Sequence, residues 1–237
     1  MKIEIWSDIM CPFCYIGKRN FETALSQFTH KDKIEIEWKS FQLDPSIPEI
    51  PKLRQDMYQF VADRKGLTYE QSRRMHQDVI QMAKNAGLEY NFDKALVTNS
   101  LKGHRLIQYA KTKGLAAIAE ERLFLAYFTQ GMDLNDLYTL IELGQDIGLS
   151  ELEVTEALTN PAYQDRVNQE AAEAQQLGAR GVPFFVINKK YALAGAQQPD
   201  TILKIIEKSF SDWKQTEKEQ VSIEEGSSCS PNNNSSC

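Results

Sequence analysis

The chain has 237 residues, 42% of them hydrophobic and 25% charged, an ordinary balance for a globular protein long enough to bury a core. Its net charge of −6 argues against a nucleic-acid partner, which would select a basic surface. No stretch approaches the roughly 18 apolar residues of a membrane span. The N-terminus, with Glu4 inside a short alternating segment, does not read as a secretory leader. The expectation is a cytoplasmic protein with no membrane or nucleic-acid partner.

Lys2-Ile3-Glu4-Ile5-Trp6 alternates as a strand does. Cys11-Pro12-Phe13-Cys14 follows and opens a helical pattern, with Phe21, Leu25 and Phe28 on one face. Two cysteines at this spacing can form a reversible disulfide. At a helix N-terminus the first sulfur meets unsatisfied N–H groups and the positive end of the helix dipole, and both favour the reactive thiolate. In a reducing compartment such a pair is catalytic or metal-binding more often than structural. Ile34, Ile36 and Trp38 alternate with charged residues and predict a second, half-buried strand, which completes a parallel βαβ unit.

Asp44 to Pro51 holds Pro45, Pro48 and Pro51 and breaks the pattern. From about 51 to 177 the periodicity is helical, beginning with Leu53, Met57, Phe60 and Val61. Thr68 with Gln71 and Ser150 with Glu153 form capping boxes. Glycines 66, 87, 114, 131, 148 and 178 stand where C-terminal caps belong, and about six helices are predicted. Pro183 to Ile187 and Tyr191 to Gly195 predict a hairpin around Asn188-Lys189-Lys190. A last helix begins near Pro199, with Ile202, Ile206, Phe210 and Trp213 as its buried stripe. The expected organisation is a sheet unit split into residues 1–48 and 178–213, an inserted helical unit over 49–177, and a flexible polar tail over 214–237.

Cys11 is the candidate nucleophile and Cys14 the resolving thiol, one helical turn on. Half of a zinc site is the competing reading. It lacks further ligands, since there is no second CxxC and His30, His76 and His104 stand apart, so no metal and no organic cofactor is expected. Pro12 removes a donor between the cysteines and Phe13 adds an apolar cover. The strand–CPFC–helix context, within Ser7-Asp8-Ile9-Met10-Cys11-Pro12-Phe13-Cys14-Tyr15-Ile16-Gly17, and the Gly181-Val182-Pro183-Phe184-Phe185-Val186-Ile187 segment resemble the thioredoxin superfamily. The long helical insertion, Asn99-Ser100-Leu101-Lys102-Gly103-His104-Arg105-Leu106 and Leu125-Ala126-Tyr127-Phe128 are similar to the DsbA family and most like its cytosolic FrnE-type branch.

The resemblance implies an α/β thioredoxin fold with a large all-helical insertion, and a thiol–disulfide oxidoreductase. Its substrates would be proteins or small molecules carrying disulfides or thiols, with a redox partner. The resemblance also makes Pro183 a cis-proline beside the CxxC, with Val182 backbone groups, Pro12 and Phe13 receiving substrate; an ordinary proline at a strand start is the plainer reading. Without a histidine between the cysteines, the potential is expected between about −120 and about −270 mV. Asp8 either assists proton transfer near the thiols or caps the turn into the helix. His104 either faces the cleft or is a satisfied helix histidine. Cys229 and Cys237, with seven residues between them, either relay electrons to the pair or are bystanders. The rival functions are a glutathione-dependent isomerase or transferase of the same fold and a non-catalytic binding module.

Overall fold

A computed structural model describes residues 1–49 and 56–220. Four strands form one mixed sheet in the order β2-β1-β3-β4. β1 (Lys2–Ser7) pairs in parallel with β2 (Glu35–Ser40), in a register that sets Ile5 against Trp38 and Ser7 against Ser40. β3 (Phe184–Ile187) lies antiparallel to β1, and the edge strand β4 (Tyr191–Ala194) antiparallel to β3. The loop between them bends through Asn188 and Lys189, both with φ near +54°.

Alternation along the strands sends side chains to two layers. Ile3, Ile5, Trp38, Phe185 and Ile187 meet α1 (Pro12–Gln27) and α9 (Pro199–Gln220) through Phe21, Ala24, Ile202, Ile206 and Phe210. Trp6, Phe184 and Val186 face the other way, onto Ala174 of α8 (Pro161–Gln176). β1 is therefore buried on both sides. As a central strand it has no solvent face, so its polar residues Glu4 and Ser7 are buried with the rest.

Between β2 and β3 the described residues form seven helices: α2 (Met57–Lys65), α3 (Tyr69–Asn85), α4 (Leu101–Thr112), α5 (Ala116–Phe124), α6 (Leu137–Asp146), α7 (Glu151–Thr159) and α8. α5 continues into a wider π-type turn over Leu125–Gln130. Both capping boxes close as their sequences require. The helix count exceeds the expected six by one, and the reason is chemical. Six helix ends carry a positive-φ glycine, at 66, 87, 114, 131, 148 and 178. The end of α7 carries none. There Asn160 closes α7 and caps α8, and Pro161 takes the first helical position.

Leu53 falls outside the described residues, and α2 begins under the Asp56 cap. α9 runs on to Gln220, past the boundary at 213 that polarity suggested. Its last turns, Lys214-Gln215-Thr216-Glu217-Lys218-Glu219-Gln220, are mostly good helix formers, so they extend a helix already nucleated against the sheet. The helical layer has its own core, and Cys11, Cys14, Tyr15 and Ile16 belong to that core rather than to the sheet's. One turn further along α1, Phe21 belongs to the sheet core. The cysteine pair thus sits where the two cores meet.

Candidate active site

The geometry begins with the turn after β1. Asp8 O accepts the Cys11 N–H at 2.9 Å and Cys11 O accepts the Cys14 N–H at 2.9 Å. Cys11 is the N-cap of α1 with extended backbone angles, and Pro12 follows at the first helical position. Cys11 and Cys14 are both free thiols, 3% and 1% exposed. The Cys11 thiol donates to Val182 O at 3.4 Å. Burial pushes the Cys14 thiol well above its ordinary range and the adjacent Cys11 sulfur adds to this, while the Asp8 backbone and the Ser7 hydroxyl pull it down.

Two further contacts hold the loops around the sulfurs. The Val182–Pro183 peptide bond is cis and Pro183 is buried. Gly17, one turn beyond Cys14, lies so close to the proline ring that a Cβ built there would stand 2.9 Å from Pro183 Cγ. The absence of a side chain at 17 is what lets the Val182-Pro183 segment approach α1. From the helical layer, the Tyr90 hydroxyl donates to Pro12 O at 2.6 Å. Burial, then the two nearby sulfurs, raise the Tyr90 phenol far above its usual range, which keeps it a donor. Around the buried sulfurs the rim is partly open: Phe13 is 38% exposed, and Pro12 and Val182 are half-buried.

Asp8 and His104 meet each other. Asp8 is 1% exposed and its two carboxylate oxygens are occupied. Oδ1 accepts the Met10 N–H at 3.2 Å, and Oδ2 accepts the Leu43 N–H at 2.7 Å. His104 Nε2 lies 3.2 Å from Asp8 Oδ1, and His104 is itself buried, with Nδ1 lacking a partner. Asp8 thus ties the β1–α1 turn to the chain leaving β2 and to α4. Among the described residues no group of three or more His, Cys, Asp or Glu is placed to hold a metal ion. No described helix is long and apolar enough to cross a membrane. Cys229 and Cys237 lie outside the described residues.

Sequence reasoning gave no site role to Tyr90, Gly17, Ser7 or Glu120. Nothing in the sequence distinguishes Tyr90, because its contact spans 78 residues. Glu120 did leave a signal: three and four residues before Leu123 and Phe124 on α5, it shares their buried face.

Comparisons with known proteins match the fold that carries this site. A solved probable DsbA oxidoreductase from Streptomyces coelicolor superposes with a TM-score of 0.85 at 34% identity, covering 90% of this chain and 91% of that one. The Bacillus subtilis protein YwbO, described as uncharacterized, is 29% identical over 217 residues, spanning 89% of this chain and 96% of its own length. The cytosolic disulfide reductase DsbM from Pseudomonas aeruginosa, solved with glutathione, shares the fold at 16% identity and a TM-score of 0.61, over 92% of this chain and all of that one. The model for the DSBA-like thioredoxin domain matches residues 2–207, from the first strand to within α9, so the chain belongs to the DSBA-like thioredoxin-domain family.

Proposed function

We propose that this protein is a thiol–disulfide oxidoreductase in which Cys11 attacks and Cys14 resolves. The observation that carries the reading is the placement of the two thiols. Cys11 caps a helix beneath a partly open apolar rim, and Cys14 lies one turn deeper with its thiol proton held tightly by burial. Exchange needs one sulfur at the substrate-facing rim that opens a substrate disulfide and a second beside it that releases the mixed disulfide. Electrons reside on sulfur throughout, so the reaction requires no organic cofactor.

Pro12, Phe13, Val182 and Pro183 form the rim against which the substrate's disulfide would lie. Val182 O, 3.4 Å from Cys11 Sγ, stands where an extended substrate's backbone N–H could be received. Glutathione, bound in the Pseudomonas relative, is the small thiol to try first. Assignment to the cytosolic FrnE-type branch, and with it a cytoplasmic setting, belongs to the same proposal and is supported by the segments around Asn99 and Leu125.

The expected outcome is clear for the two cysteines. In an insulin-reduction assay Cys11→Ser abolishes activity. Cys14→Ser loses turnover but accumulates a mixed disulfide with substrate through Cys11, visible by mass spectrometry. Full turnover by Cys11→Ser would overturn the proposal.

A further inference from the structure

Tyr90 is 8% exposed, and its hydroxyl donates to Pro12 O at 2.6 Å. The wide turn that continues α5 fixes Tyr90 from both sides. The Thr129 hydroxyl donates to Glu89 O at 2.6 Å, and Phe128 O accepts the Asn91 N–H at 2.7 Å. The Phe128 ring stacks on Tyr90 with centroids 4.6 Å apart, and Phe92 meets the same ring edge-on at 5.6 Å. A regular α-helix would engage Phe128 O with the Met132 N–H. Here that N–H goes to Ala126 O at 2.9 Å, which leaves Phe128 O for Asn91. Turns of this wide type are rare and are often found at functional sites. One that holds a tyrosine against the cysteine-bearing helix start calls for a reason.

The reason lies in the peptide group that Tyr90 touches. Cys11 is the N-cap of α1, a position from which a side chain accepts the N–H of the second or third helical residue. The third, Cys14, gives its N–H to Cys11 O. The first, Pro12, has none. The second is Phe13, and its N–H belongs to the same peptide group as Pro12 O. As a thiol, Cys11 donates to Val182 O and makes no cap bond. Once its proton has left for solvent, the sulfur is only an acceptor, and the Phe13 N–H is the donor of the first turn left for it. A hydrogen bond taken at the oxygen of an amide polarises the group and strengthens its N–H as a donor.

We propose that Tyr90 is a positioning residue that, through its hydrogen bond to Pro12 O, stabilises the Cys11 thiolate and so sets how readily the pair opens a disulfide. The inference rests on the thiol–disulfide exchange reading above. Tyr90 keeps its own proton throughout, since burial and the nearby sulfurs hold its phenol far above the usual range. In the attack the Cys11 thiolate bonds one substrate sulfur, the substrate S–S bond breaks, and the other sulfur leaves with the electron pair. Stabilising the thiolate stabilises the reduced protein, so the Tyr90 hydroxyl makes the Cys11–Cys14 disulfide a stronger oxidant.

The test uses the full-length chain and two readouts. For the first, Cys14→Ser, Cys229→Ser and Cys237→Ser leave Cys11 as the one thiol. Its alkylation by iodoacetamide is followed from acid to alkaline pH. Tyr90→Phe keeps the ring and removes only the hydroxyl. It should raise the pH of half-maximal rate by about half a pH unit, a loss of thiolate of about threefold on the rising limb. At alkaline pH the two proteins should react within about twofold of each other, because Cys11 is then ionised in both. For the second readout Cys14 is restored and the protein is equilibrated with glutathione. There the two protein thiols lose two electrons and two protons to one glutathione disulfide, which becomes two glutathione thiols. Tyr90→Phe should move that equilibrium about threefold toward the oxidised protein. Tyr90→meta-fluorotyrosine, a stronger donor of nearly the same shape, should move both readouts the opposite way. A tyrosine that only fills space would change stability and leave both in place. A folded Tyr90→Phe protein with either readout unmoved overturns the inference; if it does not fold, Tyr90→meta-fluorotyrosine decides by the same criterion. If the parent forms no Cys11–Cys14 disulfide at any glutathione ratio, the exchange reading itself fails, which is a different result from a normal exchange that ignores Tyr90.

Discussion

A single buried carboxyl makes the stability of this protein depend on pH in an uncommon direction. Burial holds Glu120 near 8 rather than at its ordinary 4.5. The folded chain therefore keeps a proton that the unfolded chain gives up, and stability is full at low pH and lost as pH rises from about 4.5 to about 8. While folded and unfolded chains differ by that proton, the slope is about 1.4 kcal/mol per pH unit. Glu120→Gln stays neutral throughout and lacks the slope. Unfolding free energies from urea titrations at pH 5 and pH 8.5 should shift in favour of the Gln variant by a few kcal/mol as pH rises. Parallel pH dependence in the two proteins would show that Glu120 is charged in the folded state. Cys14 works in the same sense at higher pH, since its thiol is also held above the ordinary range, and it is common to both proteins.

Between elements, α1 and α5 are joined by charges as well as by rings. Lys18 is 4% exposed and donates to Glu22 Oε1 and Glu121 Oε2, each at 2.5 Å. Arg19 and the Tyr15 hydroxyl both donate to Glu121 Oε1, and the Tyr15 ring stacks on Phe124 with centroids 4.8 Å apart. Burial by itself would raise the Glu121 carboxyl, but hydrogen bonds from Lys18 and Tyr15 outweigh it and hold the group below its usual range. Its contribution is therefore present above the ordinary carboxylate range and is lost as pH falls. Glu121→Ala should cost about 1–3 kcal/mol at pH 7, because a buried ammonium and a phenol each lose an acceptor. Glu22 remains to Lys18, which keeps the loss below that of a wholly unpaired buried charge. The measurement is a urea titration at pH 7 and at pH 4. The difference between the variant and the parent should shrink at the lower pH, and a difference that persists would assign the loss to packing alone.

At the scale of the molecule, the sheet core and the helical core meet along β1, β2 and α8. Lys111 of α4 reaches Glu37 of β2 and Glu170 of α8, and the Trp6 indole donates to Glu170 O at 2.7 Å. All three tryptophans, Trp6, Trp38 and Trp213, lie in the sheet unit, whereas most helix lies between β2 and β3. Tryptophan fluorescence and far-ultraviolet circular dichroism therefore watch different layers. Because the cysteine-bearing turn and α8 are packed into both, the two signals should lose structure at the same urea concentration. A dichroism transition clearly preceding the fluorescence one would show that the helical layer opens by itself.

Much of the fold was legible because it is written in local chemistry. The strand before Cys11, the two capping boxes, the glycines ending six helices and the hairpin after Pro183 are each set by residues a few positions apart. Periodicity failed at α7–α8, where Asn160-Pro161 replaces a glycine. It also failed at the end of α9, where helix propensity outlasts the buried stripe. The cysteine pair was equally visible, since its spacing and helix-start position are local facts. Its surroundings were not. Val182 comes to Cys11 across 171 residues, Tyr90 to Pro12 across 78 and His104 to Asp8 across 96. The sequence by itself determined which two sulfurs stand at a helix start and which elements carry them. Only the tertiary structure decided which carbonyl faces the first sulfur, that Asp8 is already occupied, and that Glu120 is buried, because burial and proximity arise when distant segments pack and leave no mark in any short stretch of chain.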